Sequence, residues 1–270
     1  MVEKGVNDLV TNADKASEKF IIENINKTYP DHGILAEESS FNQTKSYGEK
    51  FAREARSHYL IGNPNGTGAF MKEFANKKYI WLIDPLDGTT NFAHGLPLYA
   101  VSIGLFGTKS IKKSKNFEYL SGELILGVVF APELNELFYA QKGHGAFLNG
   151  KKIKVSNVKS VKNSLFVTGF PTTHKEINIP YFEKITFESQ ALRRLGAAAL
   201  DLCYIACGRF DGYWEFGLKP WDIAAGSLIV SEAGGQVTDI YGNELDLFGS
   251  DIFASNKKIH KETVEIFKKI

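Results

Sequence analysis

The spacing of apolar positions near the start of the chain predicts an amphipathic helix. Between residues 11 and 29 apolar and small side chains recur with a helical period, and Phe20, Ile21 and Ile25 are the large members of that face. The segment starts with polar residues and is followed by Pro30, which cannot continue a helix. We therefore expect one long helix before the first strand.

Short apolar or alternating runs predict strands in the rest of the first half. Gly33–Ala36 and residues 79–83 are apolar and β-favouring, as buried strands are. Alternating runs then predict antiparallel strands joined by turns. These strands are expected at 100–106, 124–130, 136–140 and 145–148, with turns at 132–135 and 149–150. The first half therefore has the pattern of an α+β unit with a meandering sheet.

The pattern changes to alternating strands and helices after Leu165, which is typical of an α/β unit. Between the halves, KVSNVKSVK loses the apolar period and marks a seam. We predict an N-terminal α+β subdomain over residues 1–160 and a C-terminal α/β subdomain over residues 161–270. The second half is expected to contain a strand from Leu165, helices at 197–208 and 221–233, strands at 236–238 and 252–254, and a helix from Lys258.

The amino-acid composition and net charge indicate which kind of molecule the protein binds. The chain has 270 residues, 43% of them hydrophobic, and its 32 basic and 31 acidic residues leave a formal charge of +1. A charge so close to zero provides no field for nucleic acid or an anionic membrane, so we expect a small-molecule partner. There is no apolar run of about 18 residues and no signal-peptide pattern at the start, which predicts a cytoplasmic protein. Cys203 and Cys207 are interpreted as reduced core cysteines, because no second pair of zinc ligands accompanies them.

The stretch WLIDPLDGTTNFAHG, residues 81–95, carries the candidate chemistry. Asp84 ends a predicted strand, and Pro85 and Gly88 favour a turn that lets Asp84 and Asp87 converge. Two carboxylates this close repel each other unless a hard divalent cation such as Mg²⁺ lies between them. The backbone N–H groups and hydroxyls that follow could bind a phosphate. For a short D-x-x-D-G the alternative is a tight turn that ends a strand.

Two longer motifs resemble the inositol monophosphatase family, a group of magnesium-dependent, lithium-sensitive phosphomonoesterases. The pattern W-x-x-D-P-x-D-G-T-x-N-F is matched by Trp81, Asp84, Pro85, Asp87, Gly88, Thr89, Asn91 and Phe92. A second pattern, W-D-x-A-A-G-x-x-x-x-E-A-G-G, is matched by Trp221, Asp222, Ala224, Ala225, Gly226, Glu232, Ala233, Gly234 and Gly235. The resemblance covers nearly the whole chain from about Asp8. It implies a layered αβαβα sandwich of two subdomains and a homodimer.

The resemblance also implies the metal ligands. Glu37 matches the first glutamate of a G-E-E-S block, although Ala36 replaces the glycine. The alternative interpretation is that Glu37 belongs to an exposed acidic turn and binds no metal. Asp222 matches a ligand of a second metal. The alternative interpretation is that Asp222 only caps the start of a helix, where a negative charge is favourable. The family pattern places Glu37, Asp84 and the carbonyl of Leu86 on the first Mg²⁺. It places Asp84, Asp87 and Asp222 on the second.

The resemblance to the family also implies which residues act in catalysis and which bind the substrate. Thr89 and Glu37 match the residues that orient and activate the attacking water. The phosphate is expected at Asp87, Gly88 and Thr89. The sugar or polyol is expected at Gly196, Ala198 and Glu215. Asp201, on the same predicted helix as Ala198, is interpreted as a structural acid near Arg193 or Arg194.

The implied reaction is hydrolysis of myo-inositol monophosphate to inositol and phosphate. Fructose 1,6-bisphosphate or a 3′(2′),5′-bisphosphate nucleotide is the alternative substrate, since Arg193, Arg194 and Lys219 could bind a second phosphate. A regulatory protein-binding module without catalysis is the alternative from another class.

Two features differ from the usual family pattern. The helix that normally precedes the block at residues 8–14 has no counterpart here, so either the coding start lies upstream of Met1 or this member lacks the helix. Residues 40–78 form a long insertion between two predicted metal ligands. Their apolar spacing and the turn-rich GNPNGTG predict a helix–loop–helix lid over the pocket.

Overall fold

The computed structural model describes residues 2–5, 8–39, 74, 76–113, 118–172, 174–249 and 251–270. The predicted lid at 40–78 falls almost entirely outside these residues. Its helix–loop–helix structure and its place over the pocket therefore stay predictions.

A mixed sheet forms the first half of the chain. It follows a short hairpin of β1, Val2–Gly5, and β2, Asp8–Val10. Among the described residues seven strands pair in chain order, with β3 parallel to β4 and every later pair antiparallel. They are β3 Gly33–Ala36, β4 Tyr79–Asp87, β5 Ala100–Lys113, β6 Glu118–Ala131, β7 Glu136–Gln141, β8 Gly145–Leu148 and β9 Lys151–Lys152. The predicted meander is confirmed.

A second mixed sheet follows the seam. In the described part of the chain it runs in the order β11-β10-β12-β14-β13, with β10 parallel to β11 and β12, and β14 antiparallel to β12 and β13. The strands are β10 Leu165–Thr168, β11 Ala191–Arg193, β12 Gly212–Phe216, β13 Gln236–Thr238 and β14 Asp251–Ser255. Between Lys152 and Leu165, a stretch that the structure describes in full, no strand joins the two sheets. The division into two subdomains stays a prediction.

Helices fill the remaining layers. They are α1 Asn12–Thr28, α2 Thr89–Ala93, α3 Ile179–Glu188, α4 Ala198–Ala206, α5 Pro220–Glu232 and α6 His260–Phe267. Side chains of α4 and α5 share one core with residues of both sheets, so these helices lie between them. On the outer faces, α1 packs against the first sheet and α3 and α6 pack against the second. The arrangement is the expected αβαβα sandwich.

The predicted first helix is present, but its buried face differs from the expected one. Phe20 is 70% exposed, whereas Glu18 is buried and its carboxylate accepts a hydrogen bond from the backbone N–H of Glu38 at 2.7 Å. Ile21 and Ile25 pack on the sheet as expected. A polar residue occupies this face because its carboxylate is satisfied by the backbone that follows β3.

Two glycines allow α5 to lie close against the first sheet. A methyl group on Gly104 would lie 2.8 Å from the Cβ atom of Ala224, and one on Gly127 would lie 2.6 Å from the carbonyl oxygen of Ala225. Both distances are shorter than van der Waals contact, so larger residues would push the helix away. The close packing fixes the start of α5 beside the end of β4.

The acid of the E-A-G-G motif holds the turn between β7 and β8. Both carboxylate oxygens of Glu232 accept backbone hydrogen bonds, one from Gly143 and one from Gly145, each at 2.7 Å. We expect Glu232→Ala to lower the free energy of unfolding by about 1–3 kcal/mol, because two backbone donors lose their acceptor. Urea unfolding would measure this loss. Glu232→Gln keeps one acceptor oxygen, so its free energy of unfolding should lie between those of the parent and the alanine variant. An alanine variant as stable as the parent would contradict this role.

Candidate active site

Acidic residues collect where β3 and β4 end and α5 begins. Glu37 directly follows β3, while Asp84 and Asp87 lie at the end of β4. Because β3 and β4 are parallel, their carboxyl ends lie side by side. Ser102 faces Asp84 on β5 and donates a hydrogen bond to the carbonyl oxygen of Trp221 at 3.2 Å. This contact brings the next residue, Asp222, to the same place.

Burial and neighbouring negative charges both raise the pKa values of the acids in this group. Burial raises the pKa of Asp84 well above its usual value, and the charges of Glu37, Asp87 and Asp222 raise it further. Burial likewise raises the pKa of Asp222 well above its usual value, with a further contribution from Glu37. A cluster of buried carboxylates is unfavourable without a compensating positive charge.

Asp87 is bound to the start of α4. Burial raises the pKa of Asp87 to about 7, although its hydrogen bonds to α4 oppose that shift. Its two oxygens accept hydrogen bonds from the backbone N–H groups of Ala198 at 3.2 Å and Ala199 at 2.7 Å. An aspartate at the end of the first sheet is thus attached to a helix between the sheets, where the helix dipole favours a negative charge.

The oxygen donors have the chemistry that hard divalent cations prefer, but they do not converge on one point. Asp84 accepts a hydrogen bond from the N–H of Leu86 at 3.0 Å, and Asp222 accepts one from the N–H of Lys219 at 2.7 Å. Among the described residues, no three His, Cys, Asp or Glu side chains form a ready-made metal group. Carboxylates and a carbonyl are the oxygen ligands that Mg²⁺ prefers, so the residues fit the ion in kind.

Thr89 lies beside a buried acid that the sequence did not single out. Its Oγ1 atom lies 3.2 Å from Oδ1 of Asp14 and 3.0 Å from the carbonyl oxygen of Leu86. Asp14 is fully buried, and its other oxygen accepts a hydrogen bond from the N–H of Thr11 at 2.8 Å. A threonine hydroxyl has one proton to donate to these acceptors and keeps lone pairs for another donor.

Gly88 shapes the backbone between Asp87 and Thr89. Its φ of 87° lies in the left-handed region, and a methyl group on Gly88 would lie 2.8 Å from the carbonyl oxygen of Leu98. Only glycine combines this φ with this close approach at little cost. The short helix α2 then begins at Thr89.

The residues predicted to bind the polyol lie near Asp87. Gly196 stands two positions before Ala198, which binds Asp87 through its N–H. Glu215 accepts a hydrogen bond from the hydroxyl of Tyr213 at 2.8 Å, and burial raises its pKa to about 7, with a further contribution from the charge of Asp87. A methyl group on Gly169 would overlap the Glu215 carboxylate, so that glycine leaves room for it.

Comparison with known proteins identifies the family. A sequence model of the inositol monophosphatase family matches residues 2–270. The chain belongs to the inositol monophosphatase family. It is 38% identical over 265 residues to a chloroplastic phosphatase, IMPL1, from Arabidopsis thaliana, covering 97% of this chain and 62% of that protein. It is 39% identical over 264 residues to the Nus factor SuhB of Pseudomonas aeruginosa, covering 96% of this chain and 82% of that one.

Comparison with solved structures supports the same family assignment. The inositol monophosphatase from Anabaena superimposes with a TM-score of 0.76 at 38% identity, over 97% of this chain and 88% of that one. The family consists of metal-dependent phosphatases that act on small phosphorylated substrates. Among the helices that the structure describes, none has the length and apolar character needed to span a bilayer.

Asp201 is a further buried acid near the site, and neither long motif of the inositol monophosphatase family includes it. It follows Ala198 by one helical turn and is fully buried, and neither of its oxygens has a hydrogen-bond partner among the described residues. Burial raises the pKa of Asp201 well above its usual value, and the charge of Glu215 raises it further. Its proximity to Arg194, which lowers that pKa, agrees with its expected place near the paired arginines.

Proposed function

We propose that this chain hydrolyses myo-inositol monophosphate to inositol and phosphate, with two Mg²⁺ ions activating the attacking water. The observation that carries this proposal is the group of acids around Asp84, which includes Glu37, Asp87 and Asp222. Glu37, Asp84 and the Leu86 carbonyl would hold one ion. Asp84, Asp87 and Asp222 would hold the other.

When bound, such ions neutralise phosphate charge and make water a nucleophile at neutral pH, so no protein nucleophile is needed. The chain's own residues supply position and proton transfer. Thr89 directs its proton to Asp14 or to the Leu86 carbonyl, so its lone pairs can accept a hydrogen bond from the attacking water. Glu37 acts as the base for that water, and the N–H groups of Gly88 and Thr89 bind the phosphate.

The test is a comparison of phosphate release from three substrates in the presence of magnesium. Inositol 1-phosphate is expected to react faster than fructose 1,6-bisphosphate or adenosine 3′,5′-bisphosphate. Lithium should inhibit the reaction, as is usual in the family. Preference for either bisphosphate would contradict the proposed substrate while leaving the phosphatase assignment intact.

Glu215→Ala is expected to reduce hydrolysis of inositol 1-phosphate more than hydrolysis of p-nitrophenyl phosphate. The reason is that Glu215 is proposed to accept ring hydroxyls, which the aryl ester lacks, and a hydrogen bond to a charged group contributes about 1.5–3 kcal/mol. The ratio of kcat/KM for the two substrates measures the effect. Equal losses on both substrates would show that Glu215 supports the acidic cluster or the fold instead.

A regulatory role is the second candidate, because the similar Pseudomonas aeruginosa protein is named a Nus factor. A regulatory role of that kind would not depend on phosphate hydrolysis. A catalytically inactive Asp84→Asn variant should therefore keep a regulatory role if the chain has one.

A further inference from the structure

The inner face of α1 is polar near its start and apolar further along. Asp14, Ser17 and Glu18 lie three or four residues apart on this face, and Ile21 and Ile25 continue it against the first sheet. The two acids of the polar part are buried. Because buried polar side chains need hydrogen-bond partners, the partners show what this end of the helix does.

Glu18 holds the backbone that directly follows Glu37. Its Oε2 atom accepts a hydrogen bond from the N–H of Glu38 at 2.7 Å, and its Oε1 atom accepts one from the hydroxyl of Ser39. Hydrogen bonds to a carboxylate are stronger than those between neutral groups. Glu18 therefore fixes the short segment after β3 from which the side chain of Glu37 extends.

Ser17, on the same turn of α1, holds the backbone next to Leu86. Strand β4 pairs with β5 at Asp84 and again at Asp87, but the register shifts between these two residues, so the intervening backbone bulges. The Oγ atom of Ser17 donates a hydrogen bond to the carbonyl oxygen of Pro85 at 3.0 Å. This contact restrains the bulge one peptide group before the Leu86 carbonyl.

These two contacts act on ligands of the same proposed ion. Glu37 and the Leu86 carbonyl are both expected on the first Mg²⁺, although Glu37 follows β3 and Leu86 belongs to β4. We propose that Ser17 and Glu18 are positioning residues that set the distance between these two ligands and so the affinity of the first Mg²⁺ site. The inference rests on the proposed function, and both residues lie outside the two long family motifs.

Other elements hold the second proposed site. Asp87 accepts its hydrogen bonds from the N–H groups of Ala198 and Ala199 at the start of α4, and Asp222 accepts one from the N–H of Lys219. Changes on α1 should therefore weaken one Mg²⁺ site and leave the other nearly unchanged. This selectivity separates a positioning role from a general loss of stability.

The experiment measures binding of Mg²⁺ to the full chain by isothermal titration calorimetry in the absence of substrate. Glutamine at position 18 can accept only one of the two hydrogen bonds that Glu18 accepts. For Glu18→Gln we expect one Mg²⁺ site to weaken by about 10-fold, the lower end of the range for residues that orient metal ligands. For Ser17→Ala, which removes one neutral hydrogen bond, we expect about 3-fold.

Glu23→Gln is the matched control, because it removes the same charge from the same helix. Glu23 is exposed, and its carboxylate pairs with Lys19 at 3.8 Å. This variant should bind Mg²⁺ like the parent. In phosphate release, Glu18→Gln should need correspondingly more Mg²⁺ and should recover the parent kcat when Mg²⁺ is saturating, and melting curves in EDTA show whether each variant is folded.

Several outcomes would overturn the inference. They are unchanged Mg²⁺ affinity in Ser17→Ala and Glu18→Gln, an equal loss at both sites, or a loss of kcat that saturating Mg²⁺ does not restore. If Glu18→Gln does not fold in EDTA, Ser17→Ala decides alone. A parent that binds fewer than two ions would refute the two-ion proposal and this inference together. A parent that binds two ions but releases no phosphate from inositol 1-phosphate would refute the proposed substrate alone.

Discussion

Replacing Asp84 with asparagine is expected to lower magnesium-dependent phosphate release by about 100-fold or more, because oriented charge at the reacting centre is lost. Asp84 is the residue proposed to contact both ions, and its carboxylate lies among three other acids. An amide has almost the same shape and carries no charge. The variant should therefore need far more magnesium, and its activity should remain low even when magnesium is saturating.

The same variant should be at least as stable as the parent when magnesium is chelated. The pKa of Asp84 is higher in the folded protein than in the unfolded chain, so its carboxyl group stabilises the fold at low pH. That contribution is lost as the pH rises through the folded-state pKa. The Asp84→Asn substitution keeps the shape of the side chain and removes the group whose ionisation destabilises the fold as the pH rises, so the melting temperature in EDTA should stay equal or rise.

Asp87→Asn is the matched control for this prediction. Both oxygens of Asp87 accept backbone hydrogen bonds from α4, and an amide can accept only one of them. This variant should lose activity and also melt at a lower temperature in EDTA. Near-normal turnover of Asp84→Asn at saturating magnesium would show that the proposed ligand set is wrong.

Thr89→Ala is expected to reduce kcat by about 100-fold to 10,000-fold, the usual range for a group that assists proton transfer. The hydroxyl of Thr89 lies within hydrogen-bond distance of Asp14 and of the Leu86 carbonyl, and alanine removes its single proton and its lone pairs. Because the change removes no carboxylate, magnesium affinity should change little. Steady-state kinetics at several magnesium concentrations would separate the two effects.

Thr89→Ser is the control, since serine keeps the hydroxyl and removes only a methyl group. We expect it to recover most of kcat. If the serine and alanine variants were equally impaired, the methyl group rather than the hydroxyl would be the important part of Thr89. If the alanine variant were fully active, a role for Thr89 in orienting water would be excluded.

The strands and the helix that hold the candidate metal ligands can be predicted from the sequence, because each is marked by a pattern of neighbouring residues. Apolar runs before Glu37 and Asp84 indicate buried strands that end at those residues, and the structure has β3 and β4 there. The helix that starts near Trp221 is likewise marked by its motif. Each prediction depends on residues that are close in sequence.

Contacts between distant segments could not be predicted in this way. Asp14 and Thr89 are 75 positions apart, and they meet only because α1 packs on β4. Phe20 has the apolar character of a core residue, yet it is exposed because hydrogen-bonded Glu18 occupies the buried face. Helix α3 is not predicted from the sequence: its buried residues Tyr181 and Ile185 lie one helical turn apart, but Ile179 and Phe187 are apolar and exposed, which obscures that spacing.

The hydrogen bonds between Asp87 and α4 give the site a dependence on the whole chain. One partner ends a strand of the first sheet, and the other begins a helix that also packs against the second sheet. Catalysis thus requires both halves to be folded at once. Loss of enzymatic activity should coincide with cooperative unfolding of the entire protein, so turnover itself can serve as a probe of global folding.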